Sequence, residues 1–476
     1  MQTTTSTTAN LHDASSTSPV RRWVALALLC VGQLMLILDI TVVNVALPDI
    51  SADLHLSGAT VPWVVAGYTV AFGGLMLFGG RLADFVGPRR IVLAGLALFT
   101  TASLMTGLAS GPAILLAGRV GQGVGAALLS PAALSVISTT FHGSERTKAL
   151  GVWAAVAGAG SALGVILGGV LTSIAGWRWV FFINVPIGVA LLVALARFVP
   201  VPSSRNGRDQ VGVLGATTVT AATALAMYGL INAGSHGWAA TSTLLPIGAG
   251  VLLYALFFAA QRATASPLMD VRLLVRRSVA AGSILMLVAT GLLVGGFFLG
   301  SFYLQHARGY SALHTGVVFL PVAIATILGA HHAGHAVAHF GGRTVAPAGL
   351  GLAALGAAIA AYWPNPTVLV VGLSVAALGI GATFVTAITS ALAAVEPHES
   401  GLRSGIVNTF HELGGAIGVA VLSSVAAASL GATHPATGGF TRAFTVSAAA
   451  AAGAALLALF IVPAGKPAAG TAPHLH

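Results

Sequence analysis

Charge is what this sequence lacks most. Only 7% of its 476 residues are Asp, Glu, Lys or Arg, against about 25% in an ordinary soluble protein. That shortage excludes a water-soluble globular body, which needs a charged surface to cover its apolar interior. Lysine is reduced to Lys148 and Lys466, and neither sits in a Gly-x4-Gly-Lys-Ser/Thr phosphate loop, so ATP hydrolysis through that motif is excluded. The single cysteine, Cys30, excludes a disulfide framework and a cysteine metal site. Neither a His-Glu-x-x-His zinc motif nor a Gly-x-Ser-x-Gly nucleophile turn occurs. An intramembrane hydrolase therefore has no candidate constellation, and no catalytic residue, metal or cofactor is expected.

What the chain does have is apolar length. Apolar residues make up 56% of it and its mean hydropathy is +0.93, so most of it must meet lipid or other apolar helices. Its 60 glycines are nearly twice the average share of about 7%, and small residues let membrane helices approach closely. Residues 1–20 hold ten Ser or Thr and no apolar run, which reads as a disordered cytoplasmic tail. The stretch after Arg21 and Arg22 is too long for a signal-peptide core and is read as a retained first span.

Fourteen apolar runs long enough to cross a bilayer follow one another. The first six lie at 23–47, 60–80, 91–109, 112–138, 149–173 and 178–199. Two more lie at 211–231 and 240–260, and a last six at 278–304, 311–335, 344–362, 366–394, 403–428 and 441–462. The expected organisation is an N-terminal six-helix bundle over 21–200, linkers with an inserted helix pair over 201–277, a C-terminal six-helix bundle over 278–462 and a cytoplasmic tail over 463–476. The fold class is thus all-α and polytopic.

Basic residues in membrane proteins collect in cytoplasmic loops. With the N-terminus inside, seventeen of the 21 basic residues fall on the inner side, Arg178, Arg308 and Arg442 on the outer side, and Arg119 within a span. Both termini are expected in the cytoplasm, in a multi-pass protein of the inner cell membrane. The net charge of +10 is then a topology signal. A nucleic-acid role would need a basic face on a soluble domain, which the chain lacks.

A weak internal repeat supports two related halves. Gly80, Gly87 and Arg89 recur 254 residues later as Gly334, Gly341 and Arg343, between the second and third helices of each half, where a parallel repeat places them.

These residues carry a resemblance over essentially the whole chain. The run Leu38-Asp39-Ile40-Thr41-Val42-Val43-Asn44-Val45-Ala46-Leu47-Pro48 is similar, nearly residue for residue, to the first-helix signature of the fourteen-helix drug:proton antiporter branch of the major facilitator superfamily. Gly80-x-Leu82-Ala83-Asp84-x-x-Gly87-x-Arg89-Arg90 resembles the superfamily's loop between helices two and three, with Phe85 and Pro88 in place of basic residues. Arg119-x-x-Gln122-Gly123-x-Gly125 resembles the fourth-helix arginine motif of proton-driven exporters. Gly160-x-x-x-Gly164-x-x-Leu167-Gly168-Gly169 resembles the glycine-rich fifth-helix antiporter motif, with Val165 where proline is usual. The segment from Trp177 to Gly188 and the run Asn408-Thr409 with Gly414-Gly415 also resemble this branch, except that His411 and Glu412 replace its usual residues.

The resemblance implies a major-facilitator-type fold of two six-helix bundles with an inserted pair. It also implies a proton-coupled antiporter that exports small amphipathic or cationic compounds, with a small-molecule substrate, protons and the lipid bilayer as its partners. A monomer is compatible with that reading. The same fold also suits a dedicated exporter of one natural product or an uptake carrier, and a membrane sensor that transports nothing is the alternative of another class.

An ionisable group at membrane depth costs roughly 2.5 to 3.5 kcal/mol on insertion scales, so each is a functional candidate. Asp39, Arg119 and Glu412 qualify. Asp39 and Arg119 both fall about 10 to 12 Å below the outer surface at 1.5 Å per residue, a shared depth that permits a pair. That pair either takes part in proton coupling or merely holds two helices together. Glu412 shares a helical face with Asn408 and offers either a second protonation site or a scaffold contact. Asp84, Gly87 and Arg89 are candidates for gating between helices. Asn44, Gln122 and Asn408 are cavity candidates, and Gly160, Gly164, Gly168 and Gly169 pack the fifth helix. Trp63 and Tyr68 are read as interface anchors or cavity wall. His331, His335 and His339, with His332 beside them, form one helix face that can stand in for the arginines of the duplicated loop, bind metal or titrate near neutrality.

Overall fold

The computed structural model describes residues 19–141, 143–199, 212–264, 267, 270–362, 365–393, 400–430 and 437–464. The expected tail over 1–20, apart from its last two residues, most of the first linker and the tail from 465 onward lie outside them. Among the described residues the only regular structure is helical. The N-terminal half contains α1 (Pro19–Asp53), α2 (Val61–Val86), α3 (Pro88–Gly107), α4 (Pro112–Thr140), α5 (Gly143–Ala175), α6 (Trp179–Phe182) and α7 (Asn184–Phe198). The inserted pair is α8 (Val213–His236) and α9 (Thr241–Ala263). The C-terminal half contains α10 (Arg277–Phe302), continued by a π-turn at Tyr303–Ala307, then α11 (Ala312–Val318), α12 (Leu320–Phe340), α13 (Gly342–Tyr362), α14 (Pro366–Ala391), α15 (Ser400–Leu430) and α16 (Gly438–Ile461).

Thirteen of these stretches are long and apolar enough to cross a bilayer, and the 33-residue α5 occupies the place of the fifth expected span. Local sequence explains where they start and stop. Proline stands in the first turn of α2, α3, α4, α12 and α14, where its missing N–H costs nothing. Two expected spans are broken. The sixth divides at Ile183 into α6 and α7, and the tenth divides at Phe319, just before Pro321, into α11 and α12. Proline cannot donate to the preceding turn, so continuous apolarity does not make a continuous helix.

Each half packs within itself, α2 and α3 on α4 and α1 on α5 in the first, α12 and α13 on α14 and α10 on α15 in the second. The duplicated loop is visible in the backbone. Gly87 and Gly341 both take positive φ, +104° and +81°, which favours glycine. Arg89 donates to the carbonyl of Ala196 near the end of α7, and Arg343 donates to Leu459 near the end of α16 at 2.9 Å. Arg21 at the start of α1 reaches Arg197 O at 2.7 Å, as Arg277 at the start of α10 reaches Ile461 O at 3.1 Å. In each half two guanidinium groups therefore satisfy the open carbonyls of the sixth span's last turn and complement its dipole. Arg178, by contrast, lies at the opposite end, paired with Asp53 at 2.8 Å.

The halves meet tightly at that far end. One apolar cluster joins Leu47, Ile50 and Phe181 to Phe298, Phe302 and Phe319. Across it Gln305 donates to Val45 O and the Leu313 N–H to Ser173 Oγ, both at 2.8 Å. Toward the basic end the arrangement is lopsided. On one side α2 packs against α15 and α8 lies over both, through Ala66 and Val70, Met227 and Ile231, and Ala416 and Ala420. On the other side the face of α12 that carries Ile324, Ile327 and Leu328 is uncovered, each being 45–51% exposed.

The close seat of α8 on α15 depends on Gly234, where an added β-carbon would lie 2.9 Å from Ser424 Cα and 3.0 Å from Ala427 Cβ. Gly234→Leu is expected to cost about 1–3 kcal/mol by overpacking. Gly248→Leu, at a position with nothing within 4 Å, is expected to be silent. Thermal unfolding of the two purified variants checks this, and equal midpoints would contradict the packing described.

Candidate functional site

Asp39 comes from the middle of α1, Arg119 and Gln122 from adjacent turns of α4, Tyr68 from α2, Ser103 from α3 and Asn184 from the first turn of α7. All six side chains are buried, Arg119, Gln122, Tyr68 and Ser103 completely. The i, i+3 spacing of Arg119 and Gln122 puts both on one face of α4. Arg119 is ion-paired with Asp39 Oδ2 through Nη1 and donates through the same nitrogen to Gln122 Oε1 at 2.9 Å. Its Nε donates to the Val64 carbonyl at 2.8 Å, and its guanidinium carbon lies 4.6 Å from the Tyr68 ring centroid. Gln122 Nε2 donates to Asp39 Oδ1 at 2.8 Å and to Ser103 Oγ at 2.9 Å. Asn184 Nδ2 donates to the same carboxylate oxygen at 3.2 Å.

The shared depth expected for Asp39 and Arg119 is therefore a direct contact. Two charges out of water are tolerated only when geometry and further hydrogen bonds offset several kcal/mol of desolvation per ion, and here Val64, Gln122 and Asn184 supply the hydrogen bonds, with the Tyr68 ring against the guanidinium and Ser103 holding Gln122. A crevice of about 60 Å³ between α1, α5 and α7, walled by Val31, Leu34, Leu38, Leu167 and Ile187, reaches Asp39 and Asn184. Three α5 glycines set the wall's position. Gly160 faces Leu34 and Ile37, Gly164 faces Leu38 and Thr41, and Gly168 lies 3.0 Å, by its added β-carbon, from Val42 Cα. Gly169 faces Leu313 of the other half instead.

Glu412 lies in the seam between the halves. It is 8% exposed, and a β-carbon on Gly73 of α2 would stand 2.9 Å from its own. It forms no hydrogen bond or ion pair among the described residues. His411 turns the other way, into its own half, with Nδ1 2.8 Å from Thr290 Oγ1. Asn408, one turn before Glu412, is exposed.

Other expected residues fall apart from this cluster. Asn44 is buried, donates to Ile40 O at 2.9 Å, and leaves its Oδ1 without a partner. Asp84 is exposed. Arg89 stays within the first half on α7, whereas Arg81 reaches the Pro267 carbonyl beyond α9 at 2.7 Å. Tyr68 is not an interface anchor, because it is fully buried beneath Arg119. The sequence reading missed Ser103 and Asn184 as partners of the pair. Asn184 sits in a segment already marked by its resemblance, but Ser103 carries no signal at all.

The sequence model of the Major Facilitator Superfamily matches residues 29–331 and again 296–475, and the chain belongs to this superfamily. It is 38% identical over 417 residues to the cephamycin export protein of Amycolatopsis lactamdurans, covering 84% of each chain. It is 36% identical to the puromycin resistance protein of Streptomyces alboniger, covering 92% of this chain and 90% of that one. A Mycobacterium tuberculosis multidrug resistance protein is 32% identical, with 84% of this chain and 75% of that one covered. Among solved structures, a bacterial homologue of the human lysosomal transporter Spinster, inward-facing and unoccupied, superposes with a TM-score of 0.68 at 18% identity over 94% of this chain and 98% of that one. A human organic anion transporter gives 0.61 at 16% identity, with 94% and 100% covered. These two likenesses bear on the fold.

Removing one partner of a buried pair strands the other charge. Arg119→Ala is expected to lower stability by about 3–5 kcal/mol, and adding Asp39→Asn to it should recover part of that loss. A double-mutant cycle on thermal or denaturant unfolding reads the coupling, and additive losses would show that the two charges do not interact.

Proposed function

We propose that this member of the superfamily is a proton-coupled antiporter that exports small amphipathic or cationic compounds, antibiotics among them, across the inner cell membrane, with both termini in the cytoplasm. The observation that carries the coupling is the buried Asp39–Arg119 pair with its crevice. A proton arriving on Asp39 removes the counter-charge of a fully buried guanidinium, so the cluster gains by rearranging until Arg119 finds another acceptor or solvent. Substrate or proton release then biases one arrangement of the halves over the other, which is what alternating access requires.

Export of drugs is supported by the relatives, whose names are those of export and resistance proteins. The basic loops gathered at the end that carries α1's start support the orientation. One charge moved through 100 mV supplies about 2.3 kcal/mol, enough for a substrate gradient of roughly 50-fold. Glu412, held in the seam without a hydrogen-bonding partner among the described residues, is the second proton site or a wall that attracts cations. A dedicated exporter of one natural product is the second reading, favoured by the cephamycin export protein among the relatives.

In everted vesicles, wild-type protein should accumulate dyes and antibiotics when a pH gradient is imposed and stop when it is collapsed. Asp39→Asn should reduce that flux by about tenfold or more, a change of about 1.4 kcal/mol in the driving step. Glu412→Gln should alter the pH profile or the preference for cations. Flux that survives gradient collapse would rule out antiport, and flux confined to one compound of the panel would favour the dedicated exporter.

A further inference from the structure

The coupling chemistry makes no use of the histidines of α12. His331, His332, His335 and His339 all lie on the uncovered side of that helix, whereas its packed side presents Gly329, Ala333 and Val337. Packing therefore does not account for them. His331 stands nine residues, about 14 Å, from the end of the helix and four residues before the end of the span expected over 311–335. An imidazole there is costly against lipid and is tolerated where water or a ligand meets it.

We propose that His331 and His335 form a binding site for a divalent transition-metal ion of the copper, nickel and zinc class. The two residues are one turn apart and on one face, and their ring centroids are 6.1 Å apart, so modest rotation brings a nitrogen of each to the roughly 2.0–2.1 Å that such an ion requires. His332 packs edge-on against His331 with centroids 5.3 Å apart, which restricts the His331 ring. None of the four imidazoles has a hydrogen-bond partner or carboxylate neighbour among the described residues, so their lone pairs are free for an ion.

Purely imidazole donors select copper, nickel and zinc over magnesium and calcium, which prefer oxygen. No group of three or more metal-ligating side chains converges among the described residues, so water completes the coordination. Such an ion exchanges readily and leaves positions open to a further ligand. The site stands on geometry alone and does not rest on the antiporter reading.

The test uses full-length, tag-free protein in lipid nanodiscs, with His12, His474 and His476 replaced by glutamine so that the termini do not compete. Copper(II) is titrated and followed by electron paramagnetic resonance, where hyperfine structure counts the coordinated nitrogens. One equivalent with two imidazole nitrogens is expected. His331→Gln or His335→Gln should each leave one nitrogen and weaken binding by about tenfold or more, while His236→Gln, on an exposed turn of α8, changes neither. Thermal midpoints confirm that the variants remain folded. The proposal is overturned if the background protein lacks the two-nitrogen signal, or if that signal persists when both His331 and His335 are replaced.

Discussion

A buried ion pair that cannot be left half-made organises this molecule. Asp39 and Arg119 are both buried, and neither is tolerable there alone. The pair requires α1 and α4 to approach closely, and the helices around it are placed to serve it: α2 lends a carbonyl and an aromatic face, α3 a hydroxyl, and α7 an amide. Small residues allow the approach. Gly118 and Gly123 of α4 lie against α3 and α2 with no room for a side chain, so the arginine is held by backbones drawn in around it rather than by long flexible contacts.

That geometry also makes the cluster responsive. A carboxylate with three donors and a guanidinium with three acceptors form a balanced set, and removing one member unbalances the rest. The consequences spread through the elements that the cluster joins. α1 carries Val45 and Ile50 into the apolar closure at the far end, and α2 carries Gly73 into the seam with Glu412. The same two helices thus connect the ion pair to both places where the halves touch. The inserted α8 covers the α2–α15 seam, while the α5–α12 side has no such cover, so the two flanks of the molecule differ.

Much of this was legible in the sequence, for physical reasons. Depth along a helix follows from counting residues at a fixed rise, which is why Asp39 and Arg119 could be matched before any contact was known. Thirteen of the fourteen expected spans followed from apolar length, and the duplicated loop from Gly87 and Arg89 with their partners Gly341 and Arg343. Rotation about the helix axis and sideways placement are not encoded so simply. Ser103 looks like any serine in an apolar run, and Tyr68 looks like an aromatic at an interface, because only packing decides which neighbour each faces. The shared helix face of Asn408 and Glu412 was readable, but that one is exposed while the other lies in the seam depends on where α2 passes. The breaks at Ile183 and Phe319 escaped for a related reason, since apolarity continues through them.

The central proposal is that Asp39 takes up and gives back a proton within its pair. Infrared difference spectroscopy on the purified protein in lipid, comparing high and low pH, reads that event directly as the appearance of a protonated carboxyl band and the loss of a carboxylate band. The account predicts a component of this difference that disappears in Asp39→Asn and remains in Glu412→Gln. A difference spectrum unchanged by Asp39→Asn would contradict it, and would leave the Asp39–Arg119 pair as a structural clamp alone.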